Sequence, residues 1–269
     1  MLKQIKDEIC DAIEELFLTA SQTNYIAFIL LIARAEKQQG LKSKCGTDYV
    51  TEYPLDIYFD ETRTCYYINY LRKNYSKEGY HYQKESAIED ITTELTIYSH
   101  IWDSDYFMKS LYRFAAIIDG QGYLWDNFLP EKNIHEHFIK NVISVFKQRE
   151  LKIGGILDKC YKSSIRNAFA HSRYFVDTDT RELSIRPKVG FMNYSFEEFQ
   201  DIFLHAVILM NKMENYQEIN HNRAAEKRTA ITEPFFTPDG VKVQVYGRMV
   251  EHGDTLTPEL HIVKVKEQN

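Results

Sequence analysis

The sequence predicts a mainly α-helical fold: a helical bundle with an N-terminal helical elaboration and a small C-terminal β appendage. Two observations predict it. Apolar residues recur at helical spacing through most of residues 1–222, and beyond about Asn222 the pattern changes to alternating runs set between prolines. The expected division is an elaborated helical domain over 1–222, with its core at about 133–220, and a β-rich unit over 223–269.

Taken in order, residues 2–20 read as an amphipathic helix, because Leu2, Ile5, Ile9, Ala12, Ile13, Leu16, Phe17 and Ala20 fall on one face. A second helix is expected from after Asn24 to about Gln39, with Gly40 as its stop. From Lys42 to Glu85 the pattern is poor. Tyr53-Pro54 and Gly79 punctuate it, and 58–75 fits either a strand or a short helix. Helices are expected again at about 84–99 and 105–118, followed by a loop at Asp119-Gly120-Gln121-Gly122 and a break at Pro130. Asn133 to Arg149 reads as a helix. Lys152 to His171 reads as another, with Ile153, Ile156, Leu157, Cys160, Tyr161, Ser164, Ile165, Ala168 and Phe169 forming one buried stripe. A hairpin is expected from Tyr174-Phe175-Val176 to Leu183-Ser184-Ile185. Ser195 then caps a last long helix, with Glu198 completing a capping box. The runs 241–245 and 260–265 read as strands.

Bulk composition sets limits. The 269 residues, 44% of them hydrophobic and 27% charged, are ordinary for a globular chain, and 19 Tyr with 16 Phe argue against disorder. Cys10, Cys45, Cys65 and Cys160 are scattered without a CxxC pair, as expected of reduced thiols in a cytoplasmic protein. No export signal is read at the start. The apolar run 27–33 falls well short of the roughly 20 residues a membrane span needs, so no membrane association is expected.

Chemistry concentrates in Arg166-Asn167-Ala168-Phe169-Ala170-His171. The chain carries a net charge of −6, yet residues 140–173 hold eight basic and only two acidic side chains, as a local anion site requires. Arg166 follows Ile165, about 100° beyond the buried stripe. Lys152, Lys159 and Arg166 are seven apart with Lys162 between them, which predicts a basic ridge leading to the hexamer. An arginine, an amide and a histidine suit metal-free cleavage of RNA. The 2′-hydroxyl attacks phosphorus, histidine moves a proton, and arginine holds the added negative charge. One histidine does not easily serve both sides of an in-line displacement, so two copies across a twofold homodimer axis are expected to complete the site.

The segment 166–172, entered from an amphipathic helix and followed by a long one, resembles the R-x4-6-H motif of the HEPN superfamily, with Asn167 matching its frequent polar residue after the arginine. The resemblance is strongest over about 133–220. It implies a HEPN-like helical bundle, usually dimeric, with a composite metal-independent ribonuclease site. Members include toxins of toxin–antitoxin systems and effectors of anti-phage defence. It further implies that Arg166 and His171 are catalytic with Asn167 supporting, that RNA is the substrate, and that an antitoxin or other regulatory protein is a possible partner. Lys159, Lys162 and Arg173 would contact the RNA backbone. Some relatives carry a tyrosine two residues after the histidine that their partner modifies. Here Arg173 holds that position, with Tyr174 one later.

Other constellations carry less. Nine tyrosines between Tyr49 and Tyr82 favour packing over base stacking, because Asp48, Glu52, Asp56, Asp60 and Glu61 make the segment's first part acidic. His135 and His137, two apart on a helix, point away from each other, and neither a metal site nor a cofactor is expected. No P-loop, GxGxxG or GxSxG occurs. A function of another class also fits the hexamer: a catalytically silent HEPN-like scaffold or nucleotide-binding module, in which Arg166 and His171 serve packing or an interface.

Overall fold

The structure is a computed structural model that describes residues 2–37, 48–51, 55–75, 82–125, 129, 133–187, 190–252 and 255–265. It is mostly helical with small antiparallel sheets, one of them at the C-terminus. The helix α1 (Leu2–Thr23) buries the whole stripe from Ile5 to Ala20 that its periodicity marked. It lies against α10 (Phe196–Ala225), whose capping box forms as expected: Ser195 Oγ accepts from the Glu198 N–H, and the Glu198 carboxylate accepts from the Ser195 N–H at 2.7 Å.

The second helix is shorter than its apolar pattern suggests. It runs Tyr25–Ile32 (α2), capped by the Asn24 side chain, and ends in a left-handed turn at Arg34 with φ of 54°. Arg34 turns inward. Its Nη2 meets Glu218 of α10 at 3.0 Å and its guanidinium lies over the Tyr106 ring, which ends the helix while Ala33 and Ala35 stay buried. The chain then enters a two-residue strand, β1 (Glu36–Lys37), paired with β2 (Tyr49–Val50). Gly40, Cys45, Tyr53-Pro54, Gly79 and Pro130 lie outside the described residues.

The ambiguous tyrosine-rich stretch is helical, forming α3 (Leu55–Tyr75). Packing wins over display for most of its described rings: Tyr49, Tyr67, Tyr75 and Tyr82 are buried, whereas Tyr66 is exposed. Three hydroxyls, of Tyr70, Tyr75 and Tyr82, donate to the Glu94 carboxylate of α4 (Ala87–Trp102), which has no exposed surface. After α5 (Asp105–Ile118), capped by Ser104, comes a continuous helical rod: α6 (Ile134–Phe138), a π-helical turn (Ile139–Ile143) and α7 (Ser144–Gln148). Phe138 anchors it against Trp102, Tyr112 and Tyr161.

The stretch 152–171 is two helices, not one. α8 (Lys152–Cys160) stops at an extended step at Tyr161 and Lys162, and α9 (Ser163–Ala170) begins at a new angle. Nearly all of the expected stripe is buried, but a break within it leaves backbone groups to be satisfied. Tyr98 of α4 does this: its buried hydroxyl donates to Cys160 O at 2.8 Å and accepts from Lys162 N–H at 2.7 Å. Tyr98→Phe strands the buried Cys160 carbonyl and the part-buried Lys162 N–H. Urea denaturation should show a loss of about 1–3 kcal/mol.

The expected hairpin forms as β3 (Tyr174–Asp177) and β4 (Glu182–Ile185), and it is joined by a third strand, β5 (Met192–Ser195), that leads into α10. At the C-terminus, β6 (Phe235–Phe236), β7 (Lys242–His252) and β8 (Thr255–Lys264) make an antiparallel sheet with strands longer than the alternating runs suggested. Val243, Val245, Leu260 and Ile262 join the same apolar core as the helices. At Gly247, β7 passes so close to the end of α10 that a Cβ would lie 2.6 Å from Ala225 O. Among the described residues no helix is long and apolar enough to cross a membrane.

Candidate functional site

The helix α9 is short because both its ends are fixed. Its start is set by the Tyr98 joint. Its end is a paired hydrogen-bond turn, in which Ser172 N–H donates to Phe169 O and Arg173 N–H to Ala168 O, with Ser172 left-handed at φ of 51°. That geometry puts His171 on the terminal capping position, its N–H bonded to Asn167 O and its side chain exposed. Asn167 and His171 are four apart and therefore neighbours on one face.

Arg166, partly exposed, is held from two sides. Its Nε and Nη2 donate to the same carboxylate oxygen of Asp103, at 3.0 and 2.5 Å, and its Nη1 donates to the Asn167 side-chain oxygen at 3.1 Å. Asp103 is the residue that ends α4. Sequence reasoning did not select it, and no local pattern could have, since 63 residues separate it from Arg166.

A third element lies beside the cluster. His135 of α6 places Nδ1 against the Tyr161 hydroxyl. Burial, and then the nearby Arg166 cation, push the His135 imidazole below its ordinary value, against a smaller opposing pull from Asp103. Burial likewise raises Tyr161, which stays a neutral phenol. His137 turns elsewhere, its Nδ1 meeting the Tyr112 hydroxyl at 3.0 Å. The two histidines thus address different tyrosines, as their spacing required, and among the described residues no cluster of His, Cys, Asp and Glu could hold a metal ion.

The residues expected to form a basic ridge do not line up. The step at Tyr161 and Lys162 destroys the seven-residue register. Lys159 points to α10, where it pairs with Asp201 at 2.8 Å and meets His205 Nε2 at 3.2 Å. The Lys162 ammonium folds back onto Asp158 O at 2.8 Å. Arg173 is exposed just past the helix end. The local excess of positive charge is also partly cancelled by acids brought in from a distance. Lys147 pairs with Asp158, Arg149 with Asp119, Lys159 with Asp201 and Arg166 with Asp103. A count along a sequence window sees only the first of these four partners.

No family model matches this chain, and neither a curated protein nor a solved structure matches it. The chemistry must be read from the cluster itself. Arg166, Asn167 and His171 share one short helix, and Asp103, His135 and Tyr161 converge on it from other elements. Such a set can bind an oxyanion through the guanidinium and amide and can move protons through imidazole.

Proposed function

We propose that this chain is a metal-independent, HEPN-type endoribonuclease that cleaves RNA by attack of the 2′-hydroxyl on the adjacent phosphorus. Arg166 stabilises the five-coordinate phosphorus, Asn167 orients it, and His171 is a general acid or base. Arg173 supplies a backbone contact beside the site; Lys159 and Lys162 act farther out. The observation that carries the proposal is the end of α9, where the turn at Ser172 leaves His171 exposed one turn from a partly exposed Arg166 and Asn167.

The active form in this proposal is a cytoplasmic homodimer with a composite site. Exposed Phe175, Phe191 and Met192 on and beside the β3–β5 sheet supply apolar surface near the motif for a second copy to cover. A toxin–antitoxin or anti-phage setting, with an antitoxin or regulatory protein as partner, is the biological context this activity fits. A single contact favours the other reading, a catalytically silent scaffold: the Asp103 carboxylate already occupies two of the Arg166 donors.

The two separate in one assay. Pure protein is incubated with total RNA in excess chelator, wild type beside His171→Ala. The expected result is fragments ending in 2′,3′-cyclic phosphate from the wild type, and a rate about 100- to 10,000-fold lower from the variant. Equal cleavage by both chains removes His171 from the chemistry.

A further inference from the structure

A guanidinium has five N–H groups, and in Arg166 three of them are engaged. Nε and one N–H of Nη2 donate to a single oxygen of Asp103, Oδ1, and one N–H of Nη1 donates to the Asn167 side-chain oxygen. One N–H on each terminal nitrogen is left for the oxygens of a phosphate. The guanidinium is a flat group on a flexible stem, and acceptors from two different helices set its plane. The acceptor on Asp103 is itself well placed. Asp103 forms the corner between α4 and α5, where its N–H donates to Ser99 O at 3.0 Å. Trp102 before it is buried. So is Ser104 after it, whose hydroxyl accepts from the Phe107 N–H at 3.1 Å. The Asp103 side chain, by contrast, is exposed and takes no part in the core.

We propose that Asp103 is the positioning residue of Arg166: its Oδ1 fixes the guanidinium plane for the five-coordinate phosphorus, and its charge restrains the binding of RNA before reaction. This inference rests on the ribonuclease reading above. The two effects have opposite signs. Orientation raises the rate, because a donor already aimed needs no reorganisation when negative charge develops on the phosphate oxygens. The charge of the carboxylate repels any phosphate, reacting or not, and so weakens affinity. The two effects also reside on different features of one side chain. Both Arg166 bonds go to Oδ1, so an amide in that place keeps the acceptor and drops the charge, whereas a methyl group drops both.

The test follows kcat on a single-stranded RNA oligonucleotide in chelator. Beside it runs Kd for the DNA oligonucleotide of the same sequence, which lacks the attacking 2′-hydroxyl and stays intact. Wild type, Asp103→Asn, Asp103→Ala, Arg166→Ala and the Asp103→Ala/Arg166→Ala double variant are compared, with a thermal melt of each. Asp103→Ala should lower kcat about 10- to 100-fold, as loss of alignment does. Asp103→Asn should recover most of that loss. Both should bind the DNA oligonucleotide about fivefold more tightly, the effect of removing a like charge near the phosphate. In the Arg166→Ala background, Asp103→Ala should lower kcat no further, because Asp103 acts through the guanidinium. A merely structural Asp103 would instead lower kcat whether or not Arg166 is present. Full kcat from a folded Asp103→Ala, additive losses in the double variant, or an Asp103→Asn as slow as Asp103→Ala each overturns the inference and leaves the ribonuclease reading standing. If Asp103→Ala fails to fold, Asp103→Asn decides, since an unchanged affinity for the DNA oligonucleotide overturns the inference. Absence of cleavage by the wild type overturns the ribonuclease reading, and the positioning role with it.

Discussion

Between about pH 4.5 and pH 8 the folded chain should lose stability steadily, and Glu94→Gln should abolish most of that loss. Glu94 is fully buried, and burial raises its carboxyl from an ordinary 4.5 to about 8, against the opposing pull of the tyrosine hydroxyls that donate to it. The folded chain therefore holds a proton there that the unfolded chain releases above its ordinary value. The stabilisation is complete below pH 4.5, declines as pH rises toward 8, and changes no further above that. One proton gives a slope of at most about 1.4 kcal/mol per pH unit, so the total is on the order of a few kcal/mol. Glutamine keeps the size and polarity of a neutral carboxyl, and its urea midpoint should be nearly flat over the same window. An unchanged slope in Glu94→Gln would assign the pH dependence to other groups. Glu94→Ala should be worse than either, since it leaves a cavity and removes the acceptor the three hydroxyls share.

Replacing Arg166 separates catalysis from architecture. On the ribonuclease proposal, Arg166→Ala should lower the cleavage rate by about 100- to 1,000-fold, the typical effect of losing one preorganised donor to a developing anion. Its side chain is 30% exposed and its partner Asp103 41%, so the ion pair contributes about 0–1 kcal/mol and the melting temperature should scarcely move. Arg166→Lys should recover little activity, because a point ammonium cannot span Asp103, Asn167 and a phosphate at once. On the scaffold reading the result inverts, with a fall in stability or dimerisation and no activity to lose. Kinetics beside thermal melts and sedimentation of the same preparations tell the two apart.

The long helices were legible because their burial is periodic. In α1 a single face meets the core, and the apolar positions state that directly, whereas α5 and the 202–210 stretch of α10 are buried nearly all round. What was not legible depends on partners far along the chain. Ile153 to Phe169 keeps helical spacing across a break, because both helices bury the same side; only the Tyr98 hydroxyl, 62 residues before Cys160, makes the break affordable. The end of α2 is decided by Glu218, 184 residues beyond Arg34. The motif at 166–171 could be read because its members are local. Asp103, His135 and Tyr161 could not be assigned to it, since neither spacing nor composition ties them to Arg166.

The helix α4 carries three separate fastenings along its length. Glu94 is locked to the tyrosines, Tyr98 fixes the elbow from which α9 departs, and Asp103 grips Arg166. On the ribonuclease proposal, an incoming phosphate must compete with a carboxylate whose helix is fastened five and nine residues back. Affinity for anions should consequently be restrained at rest, and any influence that slides this strut along its axis would slacken the grip on the guanidinium and tilt the motif helix in a single movement.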